Sequence, residues 1–215
     1  MLMICLLWIE PFSHEREVKS SSYVYIPNEN DILTFSATYE NPKNSPQIVC
    51  IISFQPQNGF VKCKTFPQSS VQTIENYLAE NDLTIKNTVI FDKNNLKSLL
   101  DFLGNFYIDV DRKFSVSEGN LSIEFEEGRQ LLNSEQIIFY LENSENSSEF
   151  KNRFDLILKE ILEKSLNLFT EENSLNFFLQ FLDFCKSDFS QADYDKYHDG
   201  IEFLAQFSQN PIEIQ

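Results

Sequence analysis

Side chains able to handle an anion are scarce in this chain. It carries four arginines, Arg16, Arg112, Arg129 and Arg153, and 33 acidic residues. Arg153 lies four residues before Ile157, at the edge of an apolar helical stripe, which predicts a surface arginine paired with a nearby acid. Ser69 has no His nearby in sequence to activate it, so it reads as a helix cap and not as a nucleophile. Glu142 has the chemistry of a general base, but its place predicts a solvated helix end. Asp193, Asp195 and Asp199 recur at helical spacing without the Gly and oxygen-ligand spacing of a calcium loop, and read as a solvated face. The four cysteines, Cys5, Cys50, Cys63 and Cys185, and the two histidines, His14 and His198, include no paired CxxC spacing. Buried free thiols are expected, with a Cys50–Cys63 bridge as the alternative if those two share neighbouring strands.

Composition bounds what such residues can serve. A chain of 215 residues with 42% hydrophobic and 14% aromatic content can bury a full single-domain core. Five glycines and seven prolines leave few breakers, which suits long helices joined by polar turns. With 17 basic residues against 33 acidic ones the formal net charge is −16, a surface that repels nucleic acid and an anionic membrane face. No nucleic-acid partner is expected. Salt screens that field beyond about 10 Å, so a local anion site still requires only cations that line it. Met1 to Ile9 is apolar but too short for a bilayer that needs about 20 residues, and lacks a basic segment before it. The reading is therefore a tail or membrane-anchor remnant over 1–22 and one α/β domain over 23–209.

The elements that must position the candidates follow from periodicity. Tyr23 to Ile26 and Ile32 to Phe35 read as short strands. Ile48 to Phe54 reads as a strand buried on both faces, and Phe60 to Phe66 as its hairpin partner after a turn at Pro56 to Gly59. Ser69 to Glu80 reads as a helix, and Val89 to Phe91 as a strand. Asp92 caps a helix with Leu96, Leu99, Leu100 and Leu103 on one face, ended by Gly104. Tyr107 to Val110 is a strand, and Lys113 to Phe125 a hairpin. Gly128 permits a turn, after which Asn133 or Ser134 caps a short helix with Ile137, Ile138 and Leu141 inward. Phe150 to Leu162 makes an amphipathic helix of some five turns. Leu175 to Cys185 reads as a helix buried on most sides, and Ser190 to Phe207 as the last helix. Interleaved strands and helices predict a mixed central sheet covered by helices on both faces.

The order Gly-x-Gln-x-Leu-Asn-small-x-x-apolar-apolar-x-Tyr over Gly128 to Tyr140 resembles a signature of the LytR-CpsA-Psr (LCP) domain of bacterial cell-envelope proteins. Further segments are similar in the same order: Ile32-Leu-Thr-Phe-Ser-Ala-Thr38, Gln47-Ile-Val-Cys-Ile-Ile-Ser-Phe-Gln-Pro56, Lys64-Thr-Phe-Pro-Gln-Ser-Ser70, and the helix-Gly-strand unit over Leu96 to Val110. The resemblance spans most of Ile32 to Leu166. It implies an LCP-like α/β/α fold and a pocket for a polyprenyl pyrophosphate-linked glycopolymer. In the family that polymer is transferred to peptidoglycan with Mg²⁺ assisting, arginines gripping the pyrophosphate and acids holding the metal.

Carried over residue by residue, that equipment is replaced. The family's aspartates fall on Thr38 and Gln47, its Arg-Asp pair on Gln68 and Ser69, and its two later arginines on Glu142 and Ser144. In the following helix Arg153 stands in for one arginine, and Lys151 is a flexible point charge. The expectation is a degenerate LCP-like module, non-catalytic, keeping an apolar lipid-type groove, with no cofactor. Its implied partners are a polyprenyl or other lipid and a cell-wall or LCP-family protein. Its implied location is extracytoplasmic, held at the membrane by a truncated N-terminal helix. The alternatives are an active phosphotransferase using Arg153, Lys151 and Mg²⁺, and a regulatory or structural partner with no small ligand.

Overall fold

The computed structural model describes residues 24–40, 48–67, 71–118, 121–170, 172–208 and 211–215. The central sheet begins with β1 (Leu33–Glu40), β2 (Ile48–Gln55) and β3 (Phe60–Pro67), an antiparallel meander. β2 is apolar except at Ser53 and Gln55 because it lies in the middle of the sheet and is buried along nearly its whole length. Gly59 closes the β2–β3 turn at φ 76°, a conformation open to glycine at no steric cost. β4 (Asn87–Asp92) pairs parallel with the other side of β1, and two short strands, β9 (Lys186–Ser187) and β10 (Ile212–Ile214), close the edges. The strand order is β10-β3-β2-β1-β4-β9, a mixed sheet.

Helix α1 (Val71–Glu80) lies over the β3 side chains Lys62 and Phe66, through the Phe66–Tyr77 ring contact at 5.4 Å and the Lys62–Asn81 hydrogen bond at 2.7 Å. The opposite face, where Val61 and Cys63 point, carries the core. There α2 (Lys93–Leu103), α4 (Ser147–Leu168), α5 (Ser174–Asp183) and α6 (Gln191–Phe207) pack. Asp92 accepts the Asn95 N–H at 2.9 Å and so caps α2, whose Leu96, Leu99, Leu100 and Leu103 are all buried. Four such leucines contribute on the order of 6–12 kcal/mol of transfer free energy before chain entropy is counted. Gly104 ends the helix at φ 82°.

Two further ladders flank this sheet: β5 (Phe106–Val110) with β8 (Gly128–Leu132), and the hairpin β6 (Phe114–Glu118) with β7 (Leu121–Phe125). Gly128 has the expected positive φ, 99°, but it opens a strand as well as turning the chain. Helix α3 (Ser134–Glu142) follows directly, capped by Asn133, which accepts the Gln136 N–H at 2.9 Å while Gln136 accepts the Asn133 N–H at 3.0 Å.

Three local expectations are corrected. Val24 to Asn28 forms no strand, and Val24 and Ile26 are exposed; β-branched residues make a strand only where a neighbouring strand pairs them. The first strand runs on to Glu40, because the small polar run Ser36-Ala37-Thr38 is held between β2 and β4. Helix α5 is not buried on most sides: only Ser174 and Phe177 are, and Leu175 and Leu179 face solvent, since α5 sits over the sheet's edge against β9 and α6. No helix among the described residues is long and apolar enough to cross a membrane. Tyr23 and the 1–22 tail lie outside the described residues.

Candidate functional site

An apolar cavity of about 160 Å³ lies between the sheet and its helical cover. The alternate β1 residues Leu33, Phe35, Ala37 and Tyr39 make one wall, roughly 20 Å long at about 3.3 Å per residue. Ala37, Phe35 and Leu33 stand opposite Cys50, Ile52 and Phe54 of β2, which continue that wall. Phe154, Leu158 and Leu162 of α4 and Phe177 and Phe181 of α5 close it from the helical side. A lining of aliphatic and aromatic groups along this wall suits a hydrocarbon chain.

Polar chemistry gathers where β1 ends. Tyr39 lines the cavity at 2% exposure, with its ring beside Phe150 and Phe154 at 6.2 and 6.1 Å. Its hydroxyl has no hydrogen-bond partner. Burial, reinforced by the charges of Glu142 and Asp92, pushes the Tyr39 phenol well above its ordinary range, so it remains a neutral donor. Glu142, at the end of α3, accepts the Lys93 ammonium through Oε2 at 2.7 Å, while its Oε1 is buried without a partner. Glu142 is therefore no solvated helix end: its side chain is 17% exposed and faces Lys93 at the start of α2.

Arg153 overturns the surface expectation. It is 1% exposed, on the inward side of α4, because the stripe of α4 turns that position toward β6 and α3. Its guanidinium donates to Glu149 at 2.6 Å, to the Tyr140 carbonyl at 2.6 Å and, more weakly, to Asp111 at 3.4 Å. The plane also lies over the rings of Tyr140 and Phe114, at 4.2 and 4.8 Å. Arg112 adds a second cation to Glu149, at 3.1 Å. The fork that could grip a pyrophosphate is occupied by the protein's own acids and carbonyl.

The other predicted positions divide. Thr38 is half-buried and lines the cavity. Ser144 donates its hydroxyl to the Leu141 carbonyl at 2.8 Å, finishing α3. Lys151 pairs with Asp155 at 2.6 Å, and Asp155 also accepts the Thr65 hydroxyl at 2.6 Å. Gln47, Gln68 and Ser69 lie outside the described residues. Asp193 closes the capping box of α6 with Ser190, Asp195 accepts from Gln191, and Asp199 meets His198, so this acidic trio serves its own helix. Cys50 and Cys63 do share neighbouring strands, yet they are free thiols. Register explains it: Cys63 stands opposite Ile52 and Cys50 opposite Thr65, a diagonal relation longer than a disulfide tolerates.

Resident Mg²⁺, which the LCP resemblance implies, does not fit this donor set. Position 38 has no carboxylate, Asp92 caps α2, and Glu142 is paired with Lys93. Among the described residues no group of three or more His, Cys, Asp or Glu side chains is arranged to hold a metal ion.

No family model and no curated protein matches the chain in sequence. Solved structures match it in fold. A protein of Eubacterium siraeum DSM 15702, provisionally assigned as a transcription regulator, superposes with a TM-score of 0.73 at 12% identity, over 99% of this chain and 89% of that one. TagV of Bacillus subtilis superposes at 0.66 with 13% identity, over 87% and 84% of the two chains. The fold is LCP-like. TagT bound to LI-WTA is similar as well, at TM-score 0.55 and 12% identity, over 89% of this chain and 80% of that one.

Of the predicted positions, Thr38 lies in the cavity wall and Glu142 in a pair with Lys93, while Tyr39 of the wall and Lys93 were not among them. The signal for Tyr39 was available, since it continues the every-second-residue series Leu33, Phe35, Ala37. Lys93 had none, because its meeting with Glu142 joins residues 49 positions apart.

Proposed function

We propose that this chain is a non-catalytic, LCP-like lipid-binding module of the cell envelope, taking an uncharged lipid where active relatives would take a pyrophosphate-linked one. The observation that carries this reading is an apolar slot with no charged side chain in its lining, while the candidate cations on α2 and α4 are engaged by acids. Lys93 is held by Glu142, Lys151 by Asp155 and Arg153 by Glu149. Two like charges about 4 Å apart near a protein surface repel by about 4 kcal/mol, so a pyrophosphate beside Glu142 and Asp92 is opposed and not gripped. Phosphoryl transfer relies on positioning and charge stabilisation, and a cavity lined by no charged side chain offers little of the second.

The net charge of −16 also weighs against a nucleic-acid role of the kind a transcription regulator would have. A second reading, as a partner of another envelope protein, draws on Leu175 and Leu179, which α5 leaves exposed at 41% and 48%. The cavity itself favours the lipid.

Native mass spectrometry of freshly purified protein, with and without added polyprenyl lipids, tests the proposal. The expected result is an adduct of a single-chain lipid lacking phosphate, and no gain on adding the pyrophosphate form. Stable capture of the pyrophosphate lipid, or measurable transfer of a lipid-linked glycan, would refute it.

A further inference from the structure

The length of the cavity and its volume do not agree. Its β1 wall runs roughly 20 Å, enough for a lipid chain, which is about 15 Å long as half of a hydrocarbon core of about 30 Å. Its volume of about 160 Å³ is close to that of an engineered cavity of about 150 Å³ that holds benzene, a ligand of roughly six carbons. The wall is long enough for a chain and the space behind it is not large enough. Packed interiors have low compressibility, so a chain enters only if one element of the cover moves.

Helix α5 is the element least held. Among the helices of the cover, α2 is fixed by four buried leucines and α4 by six buried residues that include Arg153. Helix α6 reaches the lining only through Ile201. Of its ten residues α5 buries Ser174 and Phe177 alone, and its N-cap Asn173 makes no side-chain hydrogen bond to the helix. One polar tie holds its N-terminal end: the buried Ser174 hydroxyl donates to Glu202 at 2.8 Å and meets the Tyr194 hydroxyl at 2.8 Å. Beyond that point ring contacts hold it. Phe177 stacks on Phe102 at 6.0 Å, Phe181 meets Phe91 at 6.0 Å, and Phe184, just past the helix, meets Phe102 at 5.5 Å. Segments with few buried contacts open at a fraction of the free energy of global unfolding. Phe177, Phe178 and Phe181 line the cavity, so an outward swing of α5 widens it. Leu175 and Leu179 are exposed already, so the outer face gives up little in that swing.

We infer that α5 is a lid: it swings outward from its Ser174 end to admit a hydrocarbon chain along β1, then settles on the chain. This rests on the lipid-binding reading above and adds the route of entry and the reason the cavity is smaller than the chain it takes.

Stopped-flow uptake of parinaryl alcohol, an uncharged fluorescent chain, tests this on the unaltered protein and on Phe102→Ala and Ser174→Ala, neither of which alters the lining. Each variant should take up and release the chain about tenfold faster, with Kd changed by about twofold or less, because a loosened lid lowers the barrier in both directions. Benzene fits the cavity as it stands and should bind all three proteins alike, which also controls for folding. In hydrogen exchange on the unaltered protein, amides of 177–183 should exchange about tenfold or more faster than those of α2 and α4, and slow by about tenfold or more with the alcohol bound. That measurement decides even where a variant folds poorly. Uptake unchanged in both variants, or α5 amides as protected as those of α2 and α4 before the alcohol is added, overturns the lid and leaves lipid binding standing. Binding of benzene without binding of the alcohol overturns the lipid reading and the lid together.

Discussion

Replacing Arg153 with Ala separates a structural cation from a ligand-binding one. The side chain is 2% exposed, so solvent does little to screen its bonds to Glu149, the Tyr140 carbonyl and Asp111. Removing one partner of a buried ion pair typically costs about 3–5 kcal/mol, because the remaining charge stays buried without compensation. Two features adjust that figure in opposite directions. Arg112 remains 3.1 Å from Glu149 and keeps part of its charge matched. Against this, the stacking on Tyr140 and Phe114 is lost, at about 0.5–2 kcal/mol per ring, and a guanidinium-sized void opens beside them. The two roughly cancel, leaving about 3–5 kcal/mol. For a domain of this size that lowers the melting temperature by roughly 10 °C. Urea titration followed by circular dichroism, with calorimetry for the melting temperature, measures both quantities. A loss below about 1 kcal/mol, the range of an exposed pair, would refute the burial argument. So would a fully stable variant that has lost only ligand affinity.

Three further outcomes follow from particular contacts. A methyl group at Gly200 would stand 2.7 Å from the Pro56 ring and 3.0 Å from the Tyr25 hydroxyl, so Gly200→Ala should lose about 1–2 kcal/mol in urea despite the gain of nearly 1 kcal/mol in helix propensity. Asn133→Ala removes the cap of α3 and should cost about 1 kcal/mol, with the cap variant Asn133→Asp restoring most of it in thermal melts. Burial and the adjacent Cys63 thiol hold the Cys50 thiol far above its ordinary range, and burial pushes Cys185 up to about 12. Iodoacetamide at pH 8 should therefore leave Cys50 intact until the chain unfolds. Because folding retains protons on these thiols, their contribution to stability is fully present below about pH 8.5 and declines as pH rises from there toward the folded values. A stability that increases from pH 8.5 to 10 would contradict that sign.

What could be read from the chain depended on whether neighbours in space were neighbours in sequence. The α2 stripe, its Asp92 cap and its Gly104 stop are local facts, and each stands where spacing and capping chemistry place it. The same holds for β2, whose apolar run from Ile48 to Ile52 belongs to a central strand. Pairing across the chain was not legible. Gly128 reads as a turn, and the segment it opens becomes a strand because β5 supplies its ladder. Leu175 to Cys185 carries enough apolar residues for full burial, yet its neighbours cover one side alone. At the site, Arg153 sat at the edge of a helical stripe and could not reveal that Glu149, Asp111 and two rings close over it.

That last contact bears on how an LCP-like scaffold can exist without gripping an anion. A pyrophosphate approaching Arg153 would compete with Glu149, presented by the same helix one turn away at 2.6 Å. A carboxylate tethered in that position acts at an effective concentration of the order of millimolar or higher, well above any lipid-linked anion in dilute solution. Lys151 faces the same competition from Asp155, also four residues away, and Lys93 from Glu142. Adding arginine at position 142 alone would therefore not recreate an anion site: it would release Lys93 but leave Glu149 and Asp155 in possession of the other two cations. Opening the site requires removing the internal acids as well, and removing Glu149 leaves buried Arg153 short of its closest acidic partner. Substitutions toward pyrophosphate binding thus run against stability.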